Sequence, residues 1–284
     1  MASATRFVAP TTLPEALTAL EEEGAMVVAG GTSVGVLLKN RLVEPTSLVF
    51  LGHVPGLTGV SAEEDGSLRI GAMTTLHDLA REPSVREAAD VVAKAASLVG
   101  NPRVRSIATI GGAIVHGDPR QDLPPVLLAL RATVAVLGPR GARKIPMEEF
   151  LVGFMESALE EDELVTEVVL PPRHHRRSAY SRFTPNSEDD YPTVGVAASL
   201  WLSSEGTVED VVLALGGVDT HAITVPGAAD LLRGRTLDEP AMEEVARAAS
   251  AAARPTDDNR GSEDYKRAMI EVWTKRALRQ CANS

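Results

Sequence analysis

Two glycine pairs, set far apart, constrain this chain more than any other feature. The first lies in Val27-Val28-Ala29-Gly30-Gly31-Thr32-Ser33-Val34-Gly35, which reads as a short buried strand passing through a glycine turn into Val36-Leu37-Leu38-Lys39 as a helix. Paired glycines admit φ > 0 and bring the backbone close to a ligand, and successive N–H groups at a helix start attract an anion. Thr32 and Ser33 add hydroxyl donors. An ordinary strand–turn–helix corner carries the same residues, and one such stretch alone favours that plainer reading. A second element of the same kind, Thr109-Ile110-Gly111-Gly112-Ala113, tips the balance. Neither is the dinucleotide fingerprint G-x-G-x-x-G or the P-loop G-x-x-x-x-G-K-[ST]. Two such cradles predict one extended ligand with a long phosphate bridge, held between two lobes.

At 284 residues the chain has room for two or three domains. A net charge of −11 argues against nucleic acid and anionic membrane surfaces as partners. No apolar run reaches the length of a membrane span, and the N-terminal stretch lacks a basic-then-apolar signal region, so a cytoplasmic protein is expected. Cys281 is the one cysteine, which excludes an internal disulfide, an iron–sulfur cluster and a structural zinc. The histidines offer no metal spacing. His174-His175 point to opposite sides of an extended segment and, among Arg173, Arg176 and Arg177, read as a solvated basic loop. Redox chemistry would have to come from an organic cofactor.

Local signals place the elements. Thr11-Thr12-Leu13-Pro14 opens a helix with Leu13, Leu17 and Leu20 on one face. Asp65-Gly66 joins two strands as a hairpin, and Pro139-Arg140-Gly141 joins another pair. Ser84 to Val99 is an amphipathic helix, while Asn101 to Arg105 reads as an irregular approach to the second glycine pair. Pro171-Pro172 and the basic run to Arg177 form the linker candidate. Beyond it, three strands followed by helices imply an α+β domain. The division expected is residues 1–55, 56–172 and 173–284.

Assembled in this order, the chain resembles the flavin-binding subunit of the molybdenum hydroxylases, the medium chain of carbon monoxide dehydrogenase and the middle domain of xanthine dehydrogenase. The residues that carry the resemblance are Ala29-Gly30-Gly31-Thr32-Ser33, Lys39 with Arg41, and Ile70-Gly71-Ala72-Met73-Thr74. Thr109-Ile110-Gly111-Gly112 with Asp118-Pro119 and Asp122, and Asn259-Arg260-Gly261-Ser262-Glu263-Asp264-Tyr265, continue it in collinear order. It implies an α+β fold, with a two-lobed FAD-binding domain of the xanthine dehydrogenase/vanillyl-alcohol oxidase type and a smaller α+β C-terminal domain. It also implies non-covalent FAD, bound by Val28, Ala29, Gly30, Gly31, Thr32, Ser33, Val34, Thr109, Gly111 and Gly112.

Asp122 falls where the family hydrogen-bonds ribityl or ribose hydroxyls, and Asp118 lies beside it. Both carboxylates also fit plain turn chemistry around Pro119. Ala113 stands where the family carries asparagine or serine, and Arg182 where it often carries lysine. Tyr191 takes the place of a side chain lying against the flavin ring and is the catalytic candidate. A tyrosine packed at a domain seam is an equal reading.

The resemblance implies partners as well: an iron–sulfur small subunit with [2Fe–2S] clusters and a large subunit with the molybdenum cofactor. In that arrangement this chain takes electrons from the clusters and passes them to NAD or another acceptor. A free-standing FAD oxidoreductase acting directly on a small organic molecule is the alternative, and a subunit that has lost FAD a third.

Overall fold

A computed structural model describes residues 5–174 and 176–284, so His175 and residues 1–4 lie outside the described residues. The N-terminal lobe begins as the hydroxyl pair predicts. Thr12 caps α1 (Leu13–Leu20) by accepting from the Glu15 amide, and Glu15 reaches back to accept from the Thr11 amide at 2.8 Å. Around α1 run β1 (Arg6–Val8), β2 (Ala25–Val28), α2 (Thr32–Lys39) and β3 (Ser47–Phe50). The three strands form a parallel sheet in the order β1-β3-β2, so β2 is an edge whose residues are all half-buried. Ala16, Leu20 and Val49 are buried beneath α1 together with Leu51, Val54 and Leu57.

The middle of the chain supplies β4 (Val60–Ala62), β5 (Leu68–Gly71), α3 (Leu76–Leu79), α4 (Pro83–Leu98), α5 (Pro102–Arg105), α6 (Ile110–His116) and α7 (Leu123–Ala129). It continues with β6 (Thr133–Gly138), β7 (Gly141–Pro146), α8 (Met147–Phe150), β8 (Leu151–Gly153), β9 (Glu156–Ser157) and β10 (Leu164–Leu170). Both expected hairpins form, β4–β5 and β6–β7, and β10 joins them into one antiparallel sheet ordered β4-β5-β10-β6-β7. The segment read as irregular at Asn101–Arg105 is instead the short helix α5. Asn101 Oδ1 caps it by accepting from the amides of Arg103 and Val104, and Pro102 sits in its first turn, where no N–H is needed.

The last third forms β11 (Arg177–Phe183), β12 (Val194–Leu202), β13 (Val208–Gly216) and β14 (Ile223–Thr224) as one antiparallel sheet, followed by α9 (Ala228–Leu232), α10 (Glu239–Ala252) and α11 (Glu263–Ala282). β12 is buried at every residue from Val194 to Leu200, which breaks the in–out alternation of a one-sided sheet. Val194, Val196, Ala198 and Leu200 belong to the cluster under α10 and α11, whereas Ala197 joins the cluster of the middle lobe with Tyr180 and Ala214. Small residues on that second face let α7 approach, and all seven α7 residues are buried. A helix apolar all round belongs between two layers, and α7 lies there.

Arg176 departs from the solvated basic loop expected here. It is 3% exposed and donates to the Leu130 carbonyl at 3.1 Å, so the crossing from middle lobe to last sheet is packed rather than free. Cys281 is wholly buried on α11, its thiol facing the Ala198 carbonyl, and burial pushes its pKa up to about 12. Native protein at pH 8 is therefore expected to resist a thiol reagent that labels the same protein fully in denaturant. Labelling of the native form at a free-thiol rate would show that the seam between β12 and α11 opens.

Candidate functional site

β2 ends at Val28 and the chain turns sharply through Ala29 and Gly30. A Cβ on Gly30 would stand 1.8 Å from the carbonyl oxygen of Ile107 and 2.6 Å from its carbon, so only glycine fits. Gly31 follows in the left-handed region at φ +71°, acting as N-cap of α2 with no side-chain cap. The helix ladder starts with the Gly35 amide donating to the Gly31 carbonyl at 2.8 Å. Among the described residues, the amides of Thr32, Ser33 and Val34 and the hydroxyls of Thr32 and Ser33 have no protein acceptor or donor. An uncapped helix start combines open N–H groups with the positive end of the helix dipole, and an anion satisfies both.

The second glycine pair is built differently, and the expectation of a second amide cradle needs correcting. At the start of α6 the Ile110 amide donates to the Thr74 carbonyl at 3.1 Å and the Gly111 amide to the Ala72 carbonyl at 2.8 Å. The Gly112 amide donates to Thr109 Oγ1 at 3.1 Å, and Thr109 is the N-cap. Every first-turn donor is spent. Its glycines serve close packing: a Cβ on Gly111 would lie 2.7 Å from Ala72 Cβ, and one on Gly112 would lie 3.0 Å from Thr109 Oγ1. The two turns are nevertheless neighbours, through Gly30 against Ile107 and the Gly112 position 3.6 Å from Ala29 Cβ.

The two carboxylates take separate tasks. Asp118 Oδ1 accepts from the Arg120 amide at 2.9 Å, an Asx turn, and Arg120 Nε stands 3.5 Å away. Asp122 is 4% exposed, and its carboxylate accepts from the Tyr180 hydroxyl at 2.8 Å and from Arg182 Nη1 at 3.1 and 3.0 Å. Burial pushes its carboxyl above the usual range, against the opposing pull of Arg182. Arg182 also donates to the Glu188 carbonyl, tying the loop that carries Tyr191. Tyr180 was absent from the sequence reading. Its signal is the i, i+2 spacing with Arg182 on β11, which sends both side chains to one face.

Tyr191 is 43% exposed, with the Arg120 guanidinium 5.8 Å from its ring centre. Arg260 fixes its backbone, donating to the Tyr191 carbonyl at 2.8 Å and gripping Asp190 with two bonds of 2.8 and 2.7 Å. Those bonds hold the Asp190 carboxyl below its ordinary range. Arg260 belongs to a stretch that carries the resemblance, but its grip on Asp190 and Tyr191 is not legible there, since these partners lie about 70 positions away in the chain. Among the described residues, no hydrogen bond or ion pair joins this Tyr191 corner to the start of α2. Nor does any group of three or more histidine, cysteine or acidic side chains form a metal site, and no helix is long and apolar enough to cross a membrane.

Residues 3–173 match the family described as the FAD binding domain in molybdopterin dehydrogenase, and residues 178–281 the CO dehydrogenase flavoprotein C-terminal domain. The carbon monoxide dehydrogenase medium chain of Hydrogenophaga pseudoflava is 35% identical over 275 residues, covering 96% of this chain and 95% of that protein. The nicotine 6-hydroxylase medium subunit of Paenarthrobacter nicotinovorans is 31% identical, covering 97% of this chain and 96% of its own length. A solved structure of the Hydrogenophaga pseudoflava carbon monoxide dehydrogenase that lacks the Mo-pyranopterin moiety superposes with a TM-score of 0.94 at 33% identity. It covers 99% of this chain and 98% of that one.

Proposed function

Because the chain belongs to the FAD-binding medium subunits of the molybdenum hydroxylases, we propose that it passes electrons from the [2Fe–2S] clusters of a small subunit to NAD or another acceptor. A large subunit with the molybdenum cofactor would oxidise the substrate. FAD supplies, when bound, a carrier that accepts electrons singly and gives them up in pairs. The open start of α2 is the observation that carries the reading. The Thr32, Ser33 and Val34 amides suit a pyrophosphate, and Val28, Ala29, Gly30 and Gly31 bring the backbone within reach of it. Thr109, Gly111 and Gly112 form the facing wall by shape rather than by free amides.

Asp122 acts here through Arg182, while Asp118 orients Arg120 beside Tyr191. Tyr191 is assigned the position against the flavin ring, its backbone held by Arg260. Residues 1–55, 56–172 and 173–284 are read as the working units, the last sharing Tyr180, Ala197 and Ala214 with the middle core. Cytoplasmic work is part of this reading, since the sequence holds no pair of cysteines for an oxidising compartment.

Purified protein is expected to be yellow with one FAD per chain, released intact into the supernatant by acid precipitation. FMN, or flavin retained in the pellet, would overturn the non-covalent FAD assignment. The isolated subunit should resist bleaching by candidate organic substrates and become reducible once the small and large subunits are added. Rapid stoichiometric bleaching of the subunit alone would decide for a free-standing oxidoreductase.

A further inference from the structure

Between the end of the middle lobe and the last sheet lies a cleft of about 880 Å³, with Arg173, Arg176 and Arg177 along one side and Trp201, Ser203 and Ser204 along the other. Arg131, from the loop after α7, lines an adjoining smaller pocket with Arg176, Trp201 and Asp210; its guanidinium is 5.1 Å from the Trp201 ring centre, and Arg176 lies 5.7 Å from the same ring. Three guanidiniums thus line the cleft and a fourth adjoins it, in a chain whose net charge is −11.

Their partners do not balance them. Arg131 pairs with Asp210 at 2.7 Å. Arg173 donates only to the carbonyls of Arg176 and Glu87, Arg176 only to that of Leu130, and Arg177 only to that of Ala282. Among the described residues none of these three has a carboxylate partner. Arg176 is the anomaly, being 3% exposed with one neutral acceptor. A guanidinium offers five N–H donors, and burying one without a counter-charge is costly. Burial, with repulsion from Arg173 and Arg131, drags its pKa down to about 10. Glu209, which is exposed, is the acidic side chain that lines the cleft, and Ser284 lines it too. A flat guanidinium fork matches the oxygens of an oxyanion, and several forks around one cleft match a double charge.

We infer that this cleft binds a phosphate-class dianion, either inorganic or carried by a nucleotide whose base lies near Trp201. The volume exceeds what inorganic phosphate fills and suits a nucleotide. None of its residues belongs to the turns assigned to FAD, so the inference goes beyond that assignment.

The chain has two tryptophans, so Trp273→Phe in FAD-loaded protein leaves Trp201 as the reporter. Sodium pyrophosphate is expected to change its fluorescence saturably, with half-effect at millimolar concentration or below, while chloride at equal ionic strength gives only a shallow linear drift. Arg176→Gln should weaken binding about tenfold, the worth of one charge-assisted hydrogen bond. Arg173→Gln, an exposed change that leaves the packing alone, should weaken it severalfold and guards against a folding failure of the first variant. Tighter binding of ADP than of pyrophosphate assigns the nucleotide, and equal binding assigns the inorganic anion. Identical responses to pyrophosphate and chloride, or full affinity in both variants, would overturn the site. Flavin content measured in the same samples separates this result from the fate of the FAD reading.

Discussion

Gly30→Ala is expected to give a folded protein that no longer retains FAD. The added methyl group would meet backbone, not a side chain that can rotate away: the Ile107 oxygen at 1.8 Å, its carbon at 2.6 Å and Ala108 Cα at 3.0 Å. Relief requires the β2–α2 turn and the approach to α6 to separate by roughly 1.5 Å, enough to forfeit most dispersion contact between them. Overpacking of this kind costs about 1–3 kcal/mol, which a domain of ordinary stability survives. The walls of the groove would still part, and a ligand that spans both would lose its fit. Gly35→Ala, one turn further into α2 and outside the residues assigned to the cofactor, is the control. Its Cβ would meet nothing within 4 Å, at an ordinary helical φ, so the methyl group moves neither wall. The flavin-to-protein absorbance ratio after gel filtration should fall to background in Gly30→Ala and stay unchanged in Gly35→Ala. Full flavin in Gly30→Ala, with an unchanged melting temperature, would place the cofactor elsewhere.

What the sequence could and could not disclose follows from the range of the interactions involved. The cap at Thr12, the hairpin at Asp65-Gly66 and the long helices are set by residues within a few positions of each other, and all were readable. The two glycine pairs look alike in sequence yet differ in use, because the Ala72 and Thr74 carbonyls that saturate the α6 amides come from a separate segment. Burial of Arg176 depends on Leu130 and Trp201, and the double-sided burial of β12 depends on α7. Asn101-Pro102 is the exception, since the cap and first-turn proline that make α5 are local signals that a loop reading passed over. Around Tyr191 the sequence points to the residue, and to Arg260 within a separate motif, while the contacts of Arg120 and Arg260 with the Tyr191 loop come into view only with the fold.

Arg260→Met is expected to release the loop that carries Tyr191. Arg260 is largely buried, and among the described residues its guanidinium alone joins Asp190 and the Tyr191 carbonyl to the segment before α11. Methionine keeps much of the stem's volume and removes every donor, leaving the carboxylate without its partner. Hydrogen bonds to charged groups contribute about 1.5–3 kcal/mol, so a loss near 2 kcal/mol should raise the open population of this loop about 30-fold. Cleavage by a glutamate-specific protease after exposed Glu188 reads that population directly, provided reclosing outpaces cutting. The pH dependence carries the same information with a definite sign. Arg260 lowers the Asp190 carboxyl below its unfolded range, so this stabilisation is complete above about pH 4 and disappears as pH falls through the folded value. Wild-type protein should therefore lose protection of the loop on acidification, whereas Arg260→Met, having none to lose, should show a flat profile over the same interval. Arg260→Lys should restore charge but not the two-pronged grip, and fall between them. Equal cleavage rates in wild type and Arg260→Met at neutral pH would show that Arg182, through the Glu188 carbonyl, holds the loop by itself.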